Sequence, residues 1–371
     1  MLVGVPKEIK DSEYRAGLVP STVRELTLKG HRVLIEKDAG VGAGLADDAY
    51  VAAGAEIAAS ADRVFAEAEL IVKVKEPLAP ERKKLRHGQV LFTYLHLAPD
   101  RAQTEDLLAS GCIAIAYETV TSPLGGLPLL MPMSEVAGGM APQAGAHCLE
   151  KEIGGRGILL GGVPGVPAAD VLVLGGGTVG ANAARIAAGM GADVTVVDRN
   201  PDVLRRIDNS LSGIRTVFST RDAIETLCRR ADLIIATVLI PGAKAPKLIT
   251  AETVRAMKPG AVIVDVSIDQ GGCAETSRPT THSHPTYIVD DVVHYCVANM
   301  PGAVARTSTF ALNNMTLPHV IALADKGYRV ALGRDPHLRA GLNVHEGRIT
   351  YKAVADALKL PYVPAEQALR M

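Results

Sequence analysis

Residues 171–198 read VLVLGGGTVGANAARIAAGMGADVTVVD. An apolar β-rich run, Val171 to Leu174, enters a turn with Gly175, Gly177 and Gly180 in GxGxxG spacing, and the Ala/Gly-rich residues Thr178 to Gly189 then read as a helix. A second β-rich run, Val194 to Val197, ends in Asp198. Strand, glycine turn, helix, strand and acid in that order form a dinucleotide-binding fingerprint, in which each part has a physical task. Gly175 permits the tight turn, Gly177 lets backbone approach a pyrophosphate, and Gly180 lets the helix pack closely on the strand. The first helical residues, Thr178 and Val179, offer free N–H groups and a positive dipole end to phosphates. Asp198 lies 18 residues beyond Gly180, where its carboxylate can accept hydrogen bonds from an adenosine ribose. It would repel a 2′-phosphate, which favours NAD over NADP, while Arg199 beside it pulls the other way.

Working outward, 371 residues are more than one hydrophobic core usually serves, so two domains are expected. Lys plus Arg number 39 against 40 Asp plus Glu, a balance that gives no support for a nucleic-acid surface or a polybasic membrane anchor. Thirty-six glycines, four phenylalanines and no tryptophan leave a core of Ala, Val, Leu and Ile, which suits parallel sheets under close-packed helices. The cysteines at 112, 148, 228, 273 and 296 are scattered, with no CxxC pair. Their odd number, without a secretory signal, points to reduced thiols in a cytoplasmic protein. No run approaches the ~18 apolar residues of a membrane span. A soluble, uncleaved chain is expected.

Before the fingerprint, short apolar runs near 2–6, 31–36, 70–74, 90–94 and 113–116 alternate with helical patterns, which predicts a parallel α/β sheet. Residues 122–133, SPLGGLPLLMPM, break that pattern, and Ser134 is placed to cap a helix running on to Glu152. Beyond Asp198 the alternation continues to strands near 287–289 and 295–297, and a helical pattern from Ala305 stops at Gly327. Too little chain follows for a third sheet. The fold class expected is therefore α/β with two Rossmann-like doubly wound domains, the NAD-binding domain (130–302) inserted into a substrate or catalytic domain (1–129 and 303–371).

Ligands of open α/β sheets bind beyond the carboxyl ends of strands, so polar residues just after strands are the candidates for chemistry. Lys75 follows LIVKV and precedes Glu76-Pro77; it reads either as a site lysine or as a solvated loop residue. His96 follows VLFTYL, where an imidazole can exchange protons, although a lone histidine is often structural. Arg15, beside Tyr14, offers a planar fork for a carboxylate or is a surface arginine. Asp269 in VDVSIDQGG can orient water or a protonated base, or form an Asx turn. Asn299 can hydrogen-bond a carboxamide or cap a helix. Glu118, His282, His284 and His294 form no metal-ligand pattern, and no metal is expected. GxSxG, P-loop, HExxH and paired-cysteine motifs are absent. A nicotinamide is the strongest reagent that the sequence advertises.

The segments GVPKEIKDSEYRAGLVPSTVREL, VKVKEP, TYLHLAPD, PLLMPMSEVAGGMAPQAGA, GGGTVGANAA, VLIPGAKAPKLIT, DVSIDQGGCAETSRPTTHSHPTY and CVANMPGAVARTST, taken in order, closely resemble the NAD-dependent L-alanine dehydrogenase family, within the wider alanine dehydrogenase/transhydrogenase alpha-subunit family. The resemblance runs essentially end to end. It implies a two-domain subunit with its active site in the interdomain cleft, assembled as a homohexamer. The reaction implied is reversible oxidative deamination of L-alanine to pyruvate and ammonium. By the same resemblance Arg15 binds the substrate carboxylate and Lys75 its carboxylate or carbonyl side. His96 is the acid/base, with Asp269 as its acidic partner. Ser134, Asp198, Ser219, Val238, Leu239, Ile268, Asp269, Arg278, Asn299, Met300 and Pro301 would contact NAD. Some relatives carry a lysine shortly after the ribose acid where this chain has Val203. The alternative is a soluble NAD-binding transhydrogenase subunit, which shares the two-domain plan.

Overall fold

A computed structural model describes residues 1–238 and 245–370. The chain divides into two compact units, unit 1 from Met1–Met133 with Gly302–Met371 and unit 2 from Ser134–Pro301. Among the described residues no helix is long and apolar enough to cross a membrane.

Unit 1 begins with β1 (Leu2–Val5), β2 (Arg32–Glu36), β3 (Glu56–Ala58), β4 (Leu70–Val72), β5 (Val90–Thr93) and β6 (Ile113–Ala116). They pair in the order β6-β5-β4-β1-β2-β3, all parallel. Every residue of β4, β5 and β6 is buried, as expected of parallel strands covered on both faces. Pro20 opens the first helix, Pro20–Leu28, at a position where its missing N–H costs nothing. β3 carries only three residues and no alternation that would announce it.

Unit 2 contains β7 (Asp170–Leu174), β8 (Asp193–Asp198), β9 (Arg215–Phe218), β10 (Leu233–Ala236), β11 (Val262–Asp265), β12 (Thr286–Val289) and β13 (Val292–Tyr295), in the order β12-β13-β11-β10-β7-β8-β9. Only β12 is antiparallel; it forms a hairpin with β13 through Asp290 and Asp291, whose φ values are 49° and 61°. Two positive φ values at the turn match the right-handed strand twist. Asp-Asp in place of Asn-Gly hides that hairpin from a reading of the sequence, which expected two separate strands. One apolar cluster joins Val171, Val173, Val194 and Val196 to Ala183, Ala184 and Ala187 of the helix Thr178–Gly189.

The chain then returns to unit 1. The helix Ala305–Arg334 is interrupted at Gly327, whose φ of 70° and ψ of 155° are not helical, and it resumes beyond that residue. β14 (Leu342–His345) pairs antiparallel with β6, and β15 (Arg348–Ile349) extends the edge.

In both units the first strand sits centrally, the second and third run to one side, and the fourth, fifth and sixth parallel strands run to the other. The order therefore reverses between β1 and β4 in unit 1 and between β7 and β10 in unit 2. In open α/β sheets a crevice is expected at such a reversal, where loops diverge beyond the carboxyl ends of the strands.

Ser134 corrects one expectation. The helix Met131–Cys148 starts four residues earlier than a Ser134 cap requires, so Ser134 lies inside it. Pro132 falls in the first turn, where a proline is tolerated, so the proline-rich break ends sooner than its composition suggests.

Candidate functional site

In unit 2 the turn after β7 is built almost entirely by backbone. Gly175 has a φ of 96°, and its carbonyl oxygen would lie 1.8 Å from a Cβ on Gly180. Gly180 is thus a packing necessity. Gly177 is different: a Cβ placed there meets nothing within 4 Å, so the protein itself leaves that side open. The Thr237 hydroxyl lies 3.0 Å from the Leu174 carbonyl and 2.9 Å from that of Gly175, tying the end of β7 to the loop after β10. Asp198 Oδ2 accepts the Gly176 N–H at 2.7 Å, and its Oδ1 accepts that of Asn200 at 2.8 Å. Each oxygen keeps a second lone pair for a ribose hydroxyl.

These groups surround a cavity of about 510 Å³ within unit 2. Ser134, Gly175, Gly177, Thr178, Val179, Asp198, Ser219 and Val238 all line it. Thr237, which was not singled out from sequence, also faces it, as does Val203, where some relatives carry a lysine. Leu239 lies outside the described residues. The open face at Gly177, the helix start at Thr178 and the acid at the end of β8 fit a dinucleotide, with N–H groups for pyrophosphate and a carboxylate for ribose, and Arg199 also lies on the cavity wall.

The remaining unit 2 candidates follow β11 and β13 and do not line that cavity. Ile268 is buried and Asp269 exposed on the turn Val266–Gln270. A wholly buried carboxylate, Asp265, shapes this loop by accepting from the backbone of Ser267 at 3.1 Å and Cys273 at 2.7 Å and from the Ser277 hydroxyl at 2.6 Å. Arg278 lays its guanidinium 4.1 Å from the centre of the Tyr287 ring, which stacks in turn on His294 at 5.0 Å. Asn299 has a φ of 61°, and its carbonyl lies 3.2 Å from His282 Nε2. Met300 is buried in the apolar cluster, with Pro301 half-buried beside it.

In unit 1, Arg15 follows β1, Lys75 follows β4 and His96 follows β5, so the first two flank the strand-order reversal. Arg15 is buried with Glu13; its Nε and Nη2 donate to the two carboxylate oxygens at 2.6 and 2.5 Å, and Nη1 lies 3.1 Å from Met133 Sδ. Burial opposes the Glu13 charge, and the Arg15 fork more than offsets it, so this carboxyl sits below the usual range. Burial, then the charge of Arg15, hold the half-buried Lys75 ammonium below the usual lysine range. No carboxylate closes an ion pair with Lys75 among the described residues, whereas Lys10 pairs with Glu76.

His96 is an exposed side chain on a left-handed backbone, with φ 49°. Glu118, just after β6, holds that conformation: its Oε1 accepts the His96 N–H at 2.6 Å, and both oxygens lie 3.2 Å from the Leu95 nitrogen. The His96 ring stacks on Tyr94, with centroids 5.9 Å apart and planes 6° from parallel. Tyr94 donates its hydroxyl hydrogen to the Leu129 carbonyl, and burial, with Glu118 adding to it, raises its pKa. A non-glycine residue held at positive φ at the end of a strand marks a place where conformation has been specified at some cost.

Glu13 and the buried ion triad under Lys75 escaped the reading of the sequence, which weighed Glu118 only as a metal ligand. Lys73 is fully buried, donating to Glu81 Oε1 at 2.7 Å and Glu8 Oε2 at 3.1 Å. Glu8 Oε1 also accepts the Val74 N–H at 2.7 Å, so the triad fixes the backbone that leads to Lys75. A lysine inside the apolar run LIVKV was the available signal, because an unpaired charge does not stay in a covered strand.

Fold and site together define a dinucleotide-binding α/β protein with a second doubly wound unit that carries a cluster of buried and half-buried charges. Residues 4–137 match the alanine dehydrogenase/PNT N-terminal domain and residues 141–352 the alanine dehydrogenase/PNT C-terminal domain. The chain belongs to the alanine dehydrogenase/PNT family. It is 61% identical over 366 residues to an alanine dehydrogenase of Halomonas elongata, covering 98% of this chain and 99% of that one. A solved L-alanine dehydrogenase superposes with a TM-score of 0.94 at 51% identity, covering 97% of this chain and 99% of that chain. A transhydrogenase from Sinorhizobium meliloti, with a TM-score of 0.81 at 24% identity over 95% of this chain and all of that one, shares the fold.

Proposed function

We propose that this chain is an NAD-dependent L-alanine dehydrogenase, which interconverts L-alanine with pyruvate and ammonium. The full-length similarity to alanine dehydrogenases supports this reading of the reaction. The observation that carries the site is the pairing, after adjacent strands of unit 1, of a buried arginine fork with a lysine lacking an ion-pair partner among the described residues. Such a pair suits a small carboxylate. Gly175, Gly177, Thr178, Val179, Asp198 and Ser219 would hold the dinucleotide, and Arg278, Ile268, Asn299, Met300 and Pro301 would complete its contacts. NAD, when bound, supplies the acceptor for the hydride of the substrate Cα.

The chain's own groups do the rest. Arg15 and Lys75 hold the carboxylate and carbonyl side of pyruvate or alanine. His96 takes a proton from the amino group in deamination and returns one in the reverse direction. Asp269 orients the water that attacks the imine. Glu118 and the Tyr94 ring hold the imidazole in place. We extend the proposal to a cytoplasmic homohexamer, on the resemblance alone.

Absorbance at 340 nm, followed with NAD and a panel of L-amino acids and then with NADP, tests the reading. A rise with L-alanine and NAD is expected, and no rise with any amino acid would sink it. His96→Ala should abolish turnover while NADH still binds; near-wild-type turnover would remove His96 from the mechanism.

A further inference from the structure

The dinucleotide cavity of unit 2 lies at the carboxyl ends of β7 and β8. A second, smaller cavity of about 160 Å³ lies toward their amino ends, beside the last turn of the helix Arg221–Arg230. Strand register explains its floor. Leu172, Thr195 and Arg215 are neighbours across β7, β8 and β9, so their side chains share one face of the sheet. Leu172 belongs to the apolar cluster beneath this helix, and Val217 and Leu227 pack at the edge of that cluster. Thr195 stands out in DVTVVD as a hydroxyl only 7% exposed among valines. It accepts the Arg215 Nε–H at 3.3 Å, which leaves its own hydrogen to donate into the cavity.

The charges around the cavity divide into those already matched and those that are not. Arg215 has Asp193 at 4.0 Å, Arg229 has Glu225 at 3.6 Å, and Asp232 is taken by Lys258 at 2.8 Å. Asp170 and Arg230 both line the cavity and close no ion pair among the described residues. The Asp232 N–H donates to the Asp170 carbonyl at 2.9 Å, and Ala231 alone separates Asp232 from Arg230. This anion and this cation therefore stand at the same end of the cavity.

We infer that the cavity is a binding site for an α-amino acid with a branched apolar side chain. Such a ligand carries its ammonium and carboxylate on one carbon, which suits Asp170 and Arg230 side by side, with the Thr195 hydroxyl donating to the carboxylate. The side chain then lies over Leu172, Val217 and Leu227. A cavity of this size holds a benzene-sized apolar body, which is ample for an isobutyl group. A plain anion would face Asp170 unmatched, and a plain amine would face Arg230, so the two charges together select a zwitterion. The inference goes beyond the alanine dehydrogenase reading and does not depend on it.

L-Leucine, 4-methylpentanoate and isopentylamine share one side chain and differ in the charges they carry. Titrated onto methyl-labelled wild-type protein, L-leucine should shift the NMR signals of the Leu172, Val217 and Leu227 methyl groups, and each singly charged analogue should need a roughly fivefold higher concentration or more. Arg230→Gln and Asp170→Asn should each weaken L-leucine by a similar factor, with thermal unfolding reporting that the variants are folded. Unmoved signals at those three residues in the wild type would overturn the inference. Binding of 4-methylpentanoate as tightly as L-leucine would also overturn it, since the cavity would then be a plain anion site. Should the variants not fold, the three ligands on the wild type decide alone. The readout is the cavity's own methyl groups, so a failure here is distinct from a failure to oxidise L-alanine.

Discussion

In unit 2 the groups around the cavity are largely backbone: a glycine turn, a helix start and a carboxylate already braced by two N–H groups. In unit 1, built on the same strand order, long charged side chains gather after the strands at the corresponding reversal, most of them compensated by carboxylates. Backbone donors need only the right φ and ψ and the absence of a Cβ, so their cost is steric. Paired charges need burial, compensation and a partner from elsewhere in the chain, so their cost is electrostatic. The two crevices should therefore fail in different ways.

The largest effect is expected at Gly180. A Cβ at 1.8 Å from a carbonyl oxygen cannot be absorbed by a rotamer change, so Gly180→Ala should destabilise unit 2 by more than about 4 kcal/mol and eliminate NADH binding. Gly177→Ala is its control, costing at most about 1 kcal/mol as a helix-capping change while weakening NADH at least tenfold. Thermal unfolding and NADH fluorescence titration measure both. Equal loss of stability in the two variants would break the contrast between an internal and a ligand-facing glycine.

Next in size, Lys73→Met should cost about 3 kcal/mol or more in thermal or urea unfolding, because it leaves Glu8 and Glu81 facing each other without a cation. Its pH dependence has a definite sign. Burial raises the Glu8 pKa, so the folded state favours the protonated form. The stability contributed by that group is complete below the ordinary carboxylate pKa and is lost as pH rises through the raised value. The deficit of Lys73→Met should therefore be smaller at pH 4.5 than at pH 8, and a deficit independent of pH would mean that Glu8 is not the group left exposed to the loss. Glu13, in the same unit, runs oppositely: its lowered pKa gives stability that is present above the ordinary carboxylate pKa and lost as pH falls.

The smallest expected effect sharpens the account of Lys75. Its pKa is lowered by burial and then by Arg15, so its charge is shed at a lower pH than that of an ordinary lysine. Inhibition by oxamate, a planar monoanionic analogue of pyruvate, should hold steady near neutral pH and weaken by up to about tenfold per pH unit above that lowered value. Lys75→Arg should move the break to higher pH, and a flat profile through pH 10 would remove the Lys75 charge from substrate binding.

How far all this was legible depends on how local each requirement is. Gly175, Gly177, Gly180 and Asp198 occur within one βαβ segment, and their spacing carries its own physics. Arg15, Lys75 and His96 were visible as polar residues after strands, but the arrangements around them were not. Glu13 is two residues from Arg15, yet nothing in SEYR says that the two will be buried together. Glu118 is 22 residues from His96, and only the neighbouring positions of β5 and β6 bring its carboxylate to the Leu95 and His96 amides. Asp290 and Asp291 turned a hairpin without glycine, and Pro132 entered a helix where composition suggested a break.

By itself the amino-acid sequence determined the alternation of strands and helices, the dinucleotide turn, the acid after β8 and the family. Those depend on periodicity, on small residues where backbone must pass, and on contacts within about thirty residues of chain. Tertiary structure alone decided which charges would be neutral as pairs, which lysine would lack an ion-pair partner, and which histidine would be held with a left-handed backbone. Burial and the distance between groups far apart in sequence set the energy of a charge, and neither exists until the strands are side by side.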